Sequence, residues 1–92
     1  MDQGAKVKTE IRATVTFPIA GQQPFKAEFP ATTLVSTVLQ DAMRHFGISD
    51  DGQFDYYLTH AGKRVKNEQT LGQVAGQAHA VKFTLIKELV QG

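Results

Sequence analysis

Phe25-Lys26-Ala27-Glu28-Phe29-Pro30-Ala31-Thr32-Thr33-Leu34-Val35-Ser36-Thr37-Val38-Leu39-Gln40-Asp41-Ala42-Met43-Arg44-His45-Phe46-Gly47 holds two periodicities end to end. Phe25, Ala27 and Phe29 alternate with Lys26 and Glu28, the period-two pattern of a strand with one dry face. After Pro30 the period becomes helical: Val35, Val38, Leu39, Ala42 and Phe46 stand at i, i+3, i+4, i+7 and i+11. Ser36, Thr37, Gln40, Asp41 and Arg44 take the opposite side. The spacing predicts a helix from Thr33 to Phe46, with Thr32 or Thr33 as N-cap and a left-handed Gly47 at the end.

Upstream, Val7, Thr9, Ile11, Ala13, Val15 and Phe17 alternate with Lys8, Glu10, Arg12, Thr14 and Thr16, a second half-buried strand. The Pro18–Pro24 stretch between them, with Gly21 free to take positive φ, joins the two runs as a β-hairpin. Downstream, Phe54, Tyr56 and Leu58 alternate with Asp55, Tyr57 and Thr59. Ala61-Gly62-Lys63 turns the chain, Val65 anchors a short strand, and Leu71 and Val74 pin a single helical turn or irregular stretch before Gly76. Val81, Phe83 and Leu85 against Lys82 and Thr84 complete a last strand.

A two-strand hairpin cannot bury its apolar face alone. Laying the helix stripe across it gives an α+β, two-layer domain in which the last strand pairs with the first. The expected core is Ile11, Val15, Phe29, Val38, Ala42, Leu58, Leu71 and Phe83. One domain spans residues 6–86, with flexible ends at 1–5 and 87–92.

Ten Lys+Arg against nine Asp+Glu leave a formal charge of +1, which gives no pull toward nucleic acid or a membrane surface. Cysteine is absent, which excludes disulfides, a thiol nucleophile, a zinc–thiolate centre and an E2-like catalytic cysteine. No run approaches the roughly 18–20 apolar residues of a membrane span. Met1-Asp2-Gln3-Gly4-Ala5-Lys6 lacks a signal-peptide core, so a cytoplasmic monomer is expected. A chain of this size buries about 60–65% of its unfolded surface and has little to spare for an enclosed active site. A non-enzymatic domain without cofactor is the expectation.

Leu58 followed by Ala61-Gly62-Lys63, then Val65 and Thr70-Leu71, resembles the turn after the third strand of the ubiquitin superfamily. Pro30 after the second strand, with Thr33 before a helix of this length, matches in the same order. The resemblance spans residues 9–86 and implies a ubiquitin-like β-grasp, a mixed four- to five-stranded sheet packed on one helix. It further implies a protein modifier or carrier, adenylated at its terminal Gly92 by an E1-like enzyme, with E2-like and isopeptidase partners and target proteins. Leu89 and Val90 would dock in the activating enzyme. The alternative is a non-covalent β-grasp adaptor, and a sulfur carrier is disfavoured because Gln91 stands where the second glycine would be. Thr59 and Thr84 replace aliphatic residues of the ubiquitin docking patch, and Ile86 or Lys87 replaces its basic tail residue. Those departures imply a divergent relative, of the kind found in bacterial ubiquitin-like conjugation systems.

Gly92 offers no Cβ to obstruct a narrow channel. A free tail from Lys87 onward would reach about 20 Å. Tyr57, Thr59, Lys63 and Thr84 are expected on one exposed sheet face, as a protein-docking surface with Tyr57 its anchor. His45, His60 and His79 are too widely spaced for a zinc site, and Ser36 and Ser49 lack triad partners. Asp50-Asp51-Gly52 lacks the remaining ligands of a calcium loop, and Lys63, Arg64 and Lys66 read as a solvated basic turn.

Overall fold

In the computed structural model, which describes residues 10–49 and 52–90, the first strand, β1 (Glu10–Thr16), pairs antiparallel with β2 (Phe25–Pro30). The register sets Val15 opposite Phe25, Ala13 opposite Ala27 and Ile11 opposite Phe29, so both apolar sets share one face. Ile11, Ala13 and Val15 are buried, whereas Phe25, Ala27 and Phe29 remain half-buried. The expectation of a fully buried Phe29 is corrected: β2 is an edge strand, with a neighbour on one side only. A short 3-10 turn (Pro18–Ala20) and Gly21 at φ 65° connect the two.

Helix α1 (Val35–His45) lays Val35, Val38, Leu39 and Ala42 on the sheet, and Phe46 continues the stripe. Its start departs from expectation. Leu34 is the N-cap and makes no side-chain cap bond; neither Thr32 nor Thr33 takes the role. The orphan donors are met from outside the helix: Val35 N–H donates to the Gln69 carbonyl at 2.8 Å and Ser36 N–H to that of Asn67 at 3.1 Å. The C-terminus follows the pattern. Gly47 at φ 71° lets its N–H reach the Arg44 carbonyl and that of Ile48 reach Met43, the paired bonds of a Schellman cap.

Strand β3 (Phe54–His60), the two-residue β4 (Lys63–Arg64), helix α2 (Leu71–Ala75) and β5 (Ala80–Leu89) complete the chain. The sheet is five-stranded in the order β2-β1-β5-β3-β4. The final strand pairs with the first, in parallel from Arg12↔Ala80 to Thr16↔Thr84. On its other side β5 runs antiparallel to β3. Phe83, Leu58, Leu71, Leu85, Val15, Val35 and Val38 are all but inaccessible at the sheet–helix interface. Thr70 caps α2 reciprocally with Gln73, whose N–H donates to the Thr70 hydroxyl while the Thr70 N–H donates to the Gln73 side-chain oxygen.

The expectation of a loose tail from Lys87 is corrected for three residues. Lys87, Glu88 and Leu89 stay in register with Tyr56, Asp55 and Phe54. The Lys87 ammonium over the Phe54 ring, 4.1 Å from its centroid, and the Tyr57 hydroxyl donating to Glu88 at 3.2 Å hold that extension in place. Residues 1–9, Asp50, Asp51, Gln91 and Gly92, and the expectations that rest on them, lie outside the described residues. No helix among the described residues is long and apolar enough to cross a membrane.

Candidate functional site

Side chains alternate along a strand, so the register sorts every sheet residue to one face. Leu58, Phe83, Ala13 and Val15 fall under the helix. The opposite, uncovered face carries Arg12, Thr14 and Thr16 from β1, Asp55, Tyr57 and Thr59 from β3, and Lys82, Thr84, Ile86 and Glu88 from β5. Three of the expected docking residues therefore come together here: Tyr57, Thr59 and Thr84. Thr59 sits directly opposite Thr84, and its hydroxyl reaches the Thr84 carbonyl at 3.5 Å.

Lys63 does not join them. It pairs with His60, whose neighbour Leu58 two residues back is buried, so Lys63 belongs to the other face. The two-residue turn Ala61-Gly62 fixes this parity and brings Arg64 opposite Thr59 instead. Leu89 likewise lies on the face of Phe54, away from Tyr57. Leu89 and Val90 are exposed apolar side chains, 62% and 48% accessible, and the Val90 N–H donates to the Gln53 carbonyl at 3.1 Å.

Tyr57 is the most constrained residue of the uncovered face. Ile86 is its cross-strand partner, and the Arg64 guanidinium carbon lies 4.1 Å from its ring centroid. Arg64 in turn stands 3.6 Å from Asp55, and the Tyr57 hydroxyl donates to Glu88 at 3.2 Å. Partial burial lifts the Tyr57 hydroxyl above its ordinary pKa. The Glu88 carboxylate lifts it further, by charge and by accepting the hydrogen bond, while Arg64 acts in the other direction. The phenol is thus held neutral and fixed in orientation at both ends. Arg64, Ile86 and Glu88 were not singled out for this surface from sequence, although Ile86 and Glu88 share the parity of Thr84 along the last strand.

The remaining polar candidates have local partners. His45 Nε2–H donates to the Gln23 carbonyl at 3.1 Å, and the ring packs on Phe25 and Phe46. His60 Nδ1–H donates to the Lys82 carbonyl at 3.0 Å. No cluster of His, Cys, Asp and Glu among the described residues could hold a metal ion.

The β-grasp geometry is shared with solved structures. Caldiarchaeum subterraneum ubiquitin superposes with a TM-score of 0.71 at 24% identity, covering 90% of this chain and 99% of its own. A protein solved in work on molecular mimicry of SUMO in DNA repair gives 0.64 at 10% identity, over 86% of this chain and 92% of its own. An Arabidopsis thaliana protein gives 0.60 at 17% identity, over 92% and 94%. At these identities the likeness is one of fold. No curated protein sequence matches. The profile of the TUG ubiquitin-like domain matches residues 20–78, more than half of the chain and the whole span from the hairpin turn through α2. With that match on a five-stranded β-grasp sheet and its single long helix, the chain belongs to the TUG ubiquitin-like domain family, within the ubiquitin-like β-grasp proteins.

Proposed function

We propose that this ubiquitin-like domain is a non-covalent protein-interaction module that docks its partners through the uncovered face of the sheet, with Tyr57 as the central contact. The observation that carries this reading is the fixed aromatic ring: Ile86 beside it, Arg64 at 4.1 Å over it, and Glu88 on its hydroxyl. A large ring already held in place loses little conformational freedom on binding, which is why tyrosine and arginine dominate interface hot spots. Thr59 and Thr84 make the surroundings more polar than the aliphatic patch of ubiquitin, so the partners differ from ubiquitin receptors. Tyr57→Ala is expected to weaken a captured partner by more than about 1 kcal/mol in calorimetry. Lys63→Ala, on the other face, leaves affinity unchanged. Equal affinity of wild type and Tyr57→Ala would overturn the assignment.

A second reading is covalent: activation of Gly92 by an E1-like enzyme, with transfer through E2-like proteins to targets and release by isopeptidases. The exposed Leu89 and Val90, where the chain leaves the sheet, favour it as a docking point for that enzyme. Against it, β3 holds β5 as far as Leu89. On this reading Gln91 and Gly92, beyond Val90, would reach about 7 Å at full stretch, in place of the about 20 Å of a tail free from Lys87. Charging would require Lys87–Leu89 to unzip from β3. An ATP-dependent adenylate or thioester at Gly92, lost on Gly92 deletion, would favour this reading over the adaptor.

A further inference from the structure

Strand β5 outruns its neighbour on one side. The parallel ladder with β1 ends at Thr16↔Thr84, where the chain turns off into Pro18–Ala20. The antiparallel ladder with β3 continues to Phe54↔Leu89. Which backbone groups face the vacated lane follows from the bonds on either side. Val90 N–H donates toward β3, to Gln53, and the carbonyl of Thr84 accepts from the Thr59 hydroxyl. The carbonyls of His79 and Phe83 accept from Arg12 N–H and the Thr16 hydroxyl of β1. Even-numbered residues of β5 therefore bond toward β3 and odd-numbered ones toward β1. Lys87 and Leu89 turn N–H and C=O to a side where, among the described residues, no backbone partner meets them.

The same lane borders a cavity of about 180 Å³ lined by Phe17, Pro18, Ile19, Thr84, Leu85, Ile86 and Lys87. Ile19 at its rim is 70% exposed. Open backbone groups and an apolar cavity in one lane are the requirements for strand addition with side-chain selectivity. The Lys87 ammonium, over Phe54 beside the lane, has no carboxylate partner among the described residues.

We propose that the open edge of β5 at Leu85–Leu89 captures an extended segment of a partner protein, apolar at alternate positions and bearing a carboxylate opposite Lys87, which adds to the sheet in the lane β1 vacates. The lane adjoins the uncovered face at Thr84 and Ile86, but the proposal does not depend on docking at Tyr57. A second copy of the chain fits the lane poorly. Antiparallel pairing of two such edges about a twofold axis sets Lys87 against Lys87 or Glu88 against Glu88, and like charges directly opposite destabilise a ladder. Centring the axis on Ile86 instead drives Leu89 against Phe83, whose edge β1 already holds. Centring it on Leu89 pairs only Glu88–Val90 among the described residues and leaves the cavity beside Ile19 unfilled. An incoming strand from another protein meets none of these obstacles, and its aliphatic side chain fills the cavity beside Ile19.

The test uses NMR on the full chain. In the free protein the amides of Lys87 and Leu89 exchange rapidly with solvent while those of Glu88 and Val90 are protected. A synthetic peptide of about eight residues, alternating valine and threonine with one central aspartate, shifts Ile19 and Leu85–Leu89 and slows exchange at Lys87 and Leu89. The same peptide with lysine for aspartate binds about fivefold more weakly, and Lys87→Glu reverses that order. Lys87→Pro removes an edge-facing N–H that the β3 ladder does not use, and abolishes binding. Where that variant fails to fold, the charge reversal carries the decision alone. Shifts confined to the Tyr57 face or to β2 overturn the proposal, as does failure of both peptides to bind. Concentration-dependent shifts at Leu85–Leu89 without peptide would assign the edge to a second copy and overturn it equally.

Discussion

Ala61 holds φ at 54° and Gly62 at 82° in the turn between His60 and Lys63. Positive φ at both central residues of a two-residue hairpin is the type I′ pattern, whose twist suits the flanking strands. Glycine adopts it freely, whereas an alanine there costs roughly 1 kcal/mol. Ala61→Asn is expected to raise stability by about 0.5–1 kcal/mol, read as a higher urea midpoint at unchanged slope. A lower midpoint would mean that the turn is held by something other than its own dihedrals. The Ala61-Gly62-Lys63 tripeptide was legible as a turn, but its length was not, and that length decides whether Lys63 or Arg64 stands beside Tyr57. Tyr57 gives a second prediction. Its pKa is raised by partial burial and then by Glu88, so the folded state holds the phenolic proton more tightly than the unfolded chain. That stabilisation is complete below about pH 10 and disappears as pH rises through the folded value. With Tyr56→Phe leaving Tyr57 as the single phenol, absorbance titration should place its midpoint above that of a free tyrosine. Glu88→Gln should lower the midpoint, and no change would mean that Glu88 does not contribute to the shift.

Elements were legible where their signals are local. The α1 stripe, the Gly47 cap and the alternation of β1, β2 and β3 need only neighbouring residues to be read, and the structure follows them. Two ends were not legible, because their partners are remote in sequence. The N-terminus of α1 is capped by carbonyls of Asn67 and Gln69, and no Thr32 or Thr33 hydroxyl is needed there. The far end of β5 loses its alternation at Ile86-Lys87-Glu88, yet cross-strand contacts to Phe54 and Tyr57 keep it paired. Cross-strand pairs contribute roughly 0.2–1 kcal/mol each, so truncation after Ile86 should cost about 1–2 kcal/mol in urea unfolding. Deleting Gly92 alone should leave the midpoint where it was. Equal midpoints for the two truncations would return Lys87–Leu89 to the role of a passive tail.

The molecule as a whole depends on one long-range pairing. β1 and β5 lie side by side and parallel, though Thr16 and Thr84 are at opposite ends of the chain. Every strand beyond the initial hairpin reaches the rest of the sheet through β5. Sequence predicted that pairing only by elimination, since nothing local marks two distant strands as neighbours. Phe83 sits at the middle of this arrangement: 2% exposed, in register with Val15, and with the His60 ring tilted against it at 6.1 Å between centroids. Truncation to alanine removes its transfer free energy and leaves a cavity between β1, β3 and the helix, together about 3–5 kcal/mol. A domain of this size has roughly 5–15 kcal/mol in all. Phe83→Ala should therefore shift the urea midpoint far down and expose amides on β1 and β5 together, because removing the pairing releases both halves of the sheet at once. Phe29→Ala, on the half-buried edge, should cost distinctly less. If hydrogen exchange in Phe83→Ala rose on β5 while β1 and β2 stayed protected, the hairpin would be an independent unit and the β1–β5 pairing would not be what joins the fold.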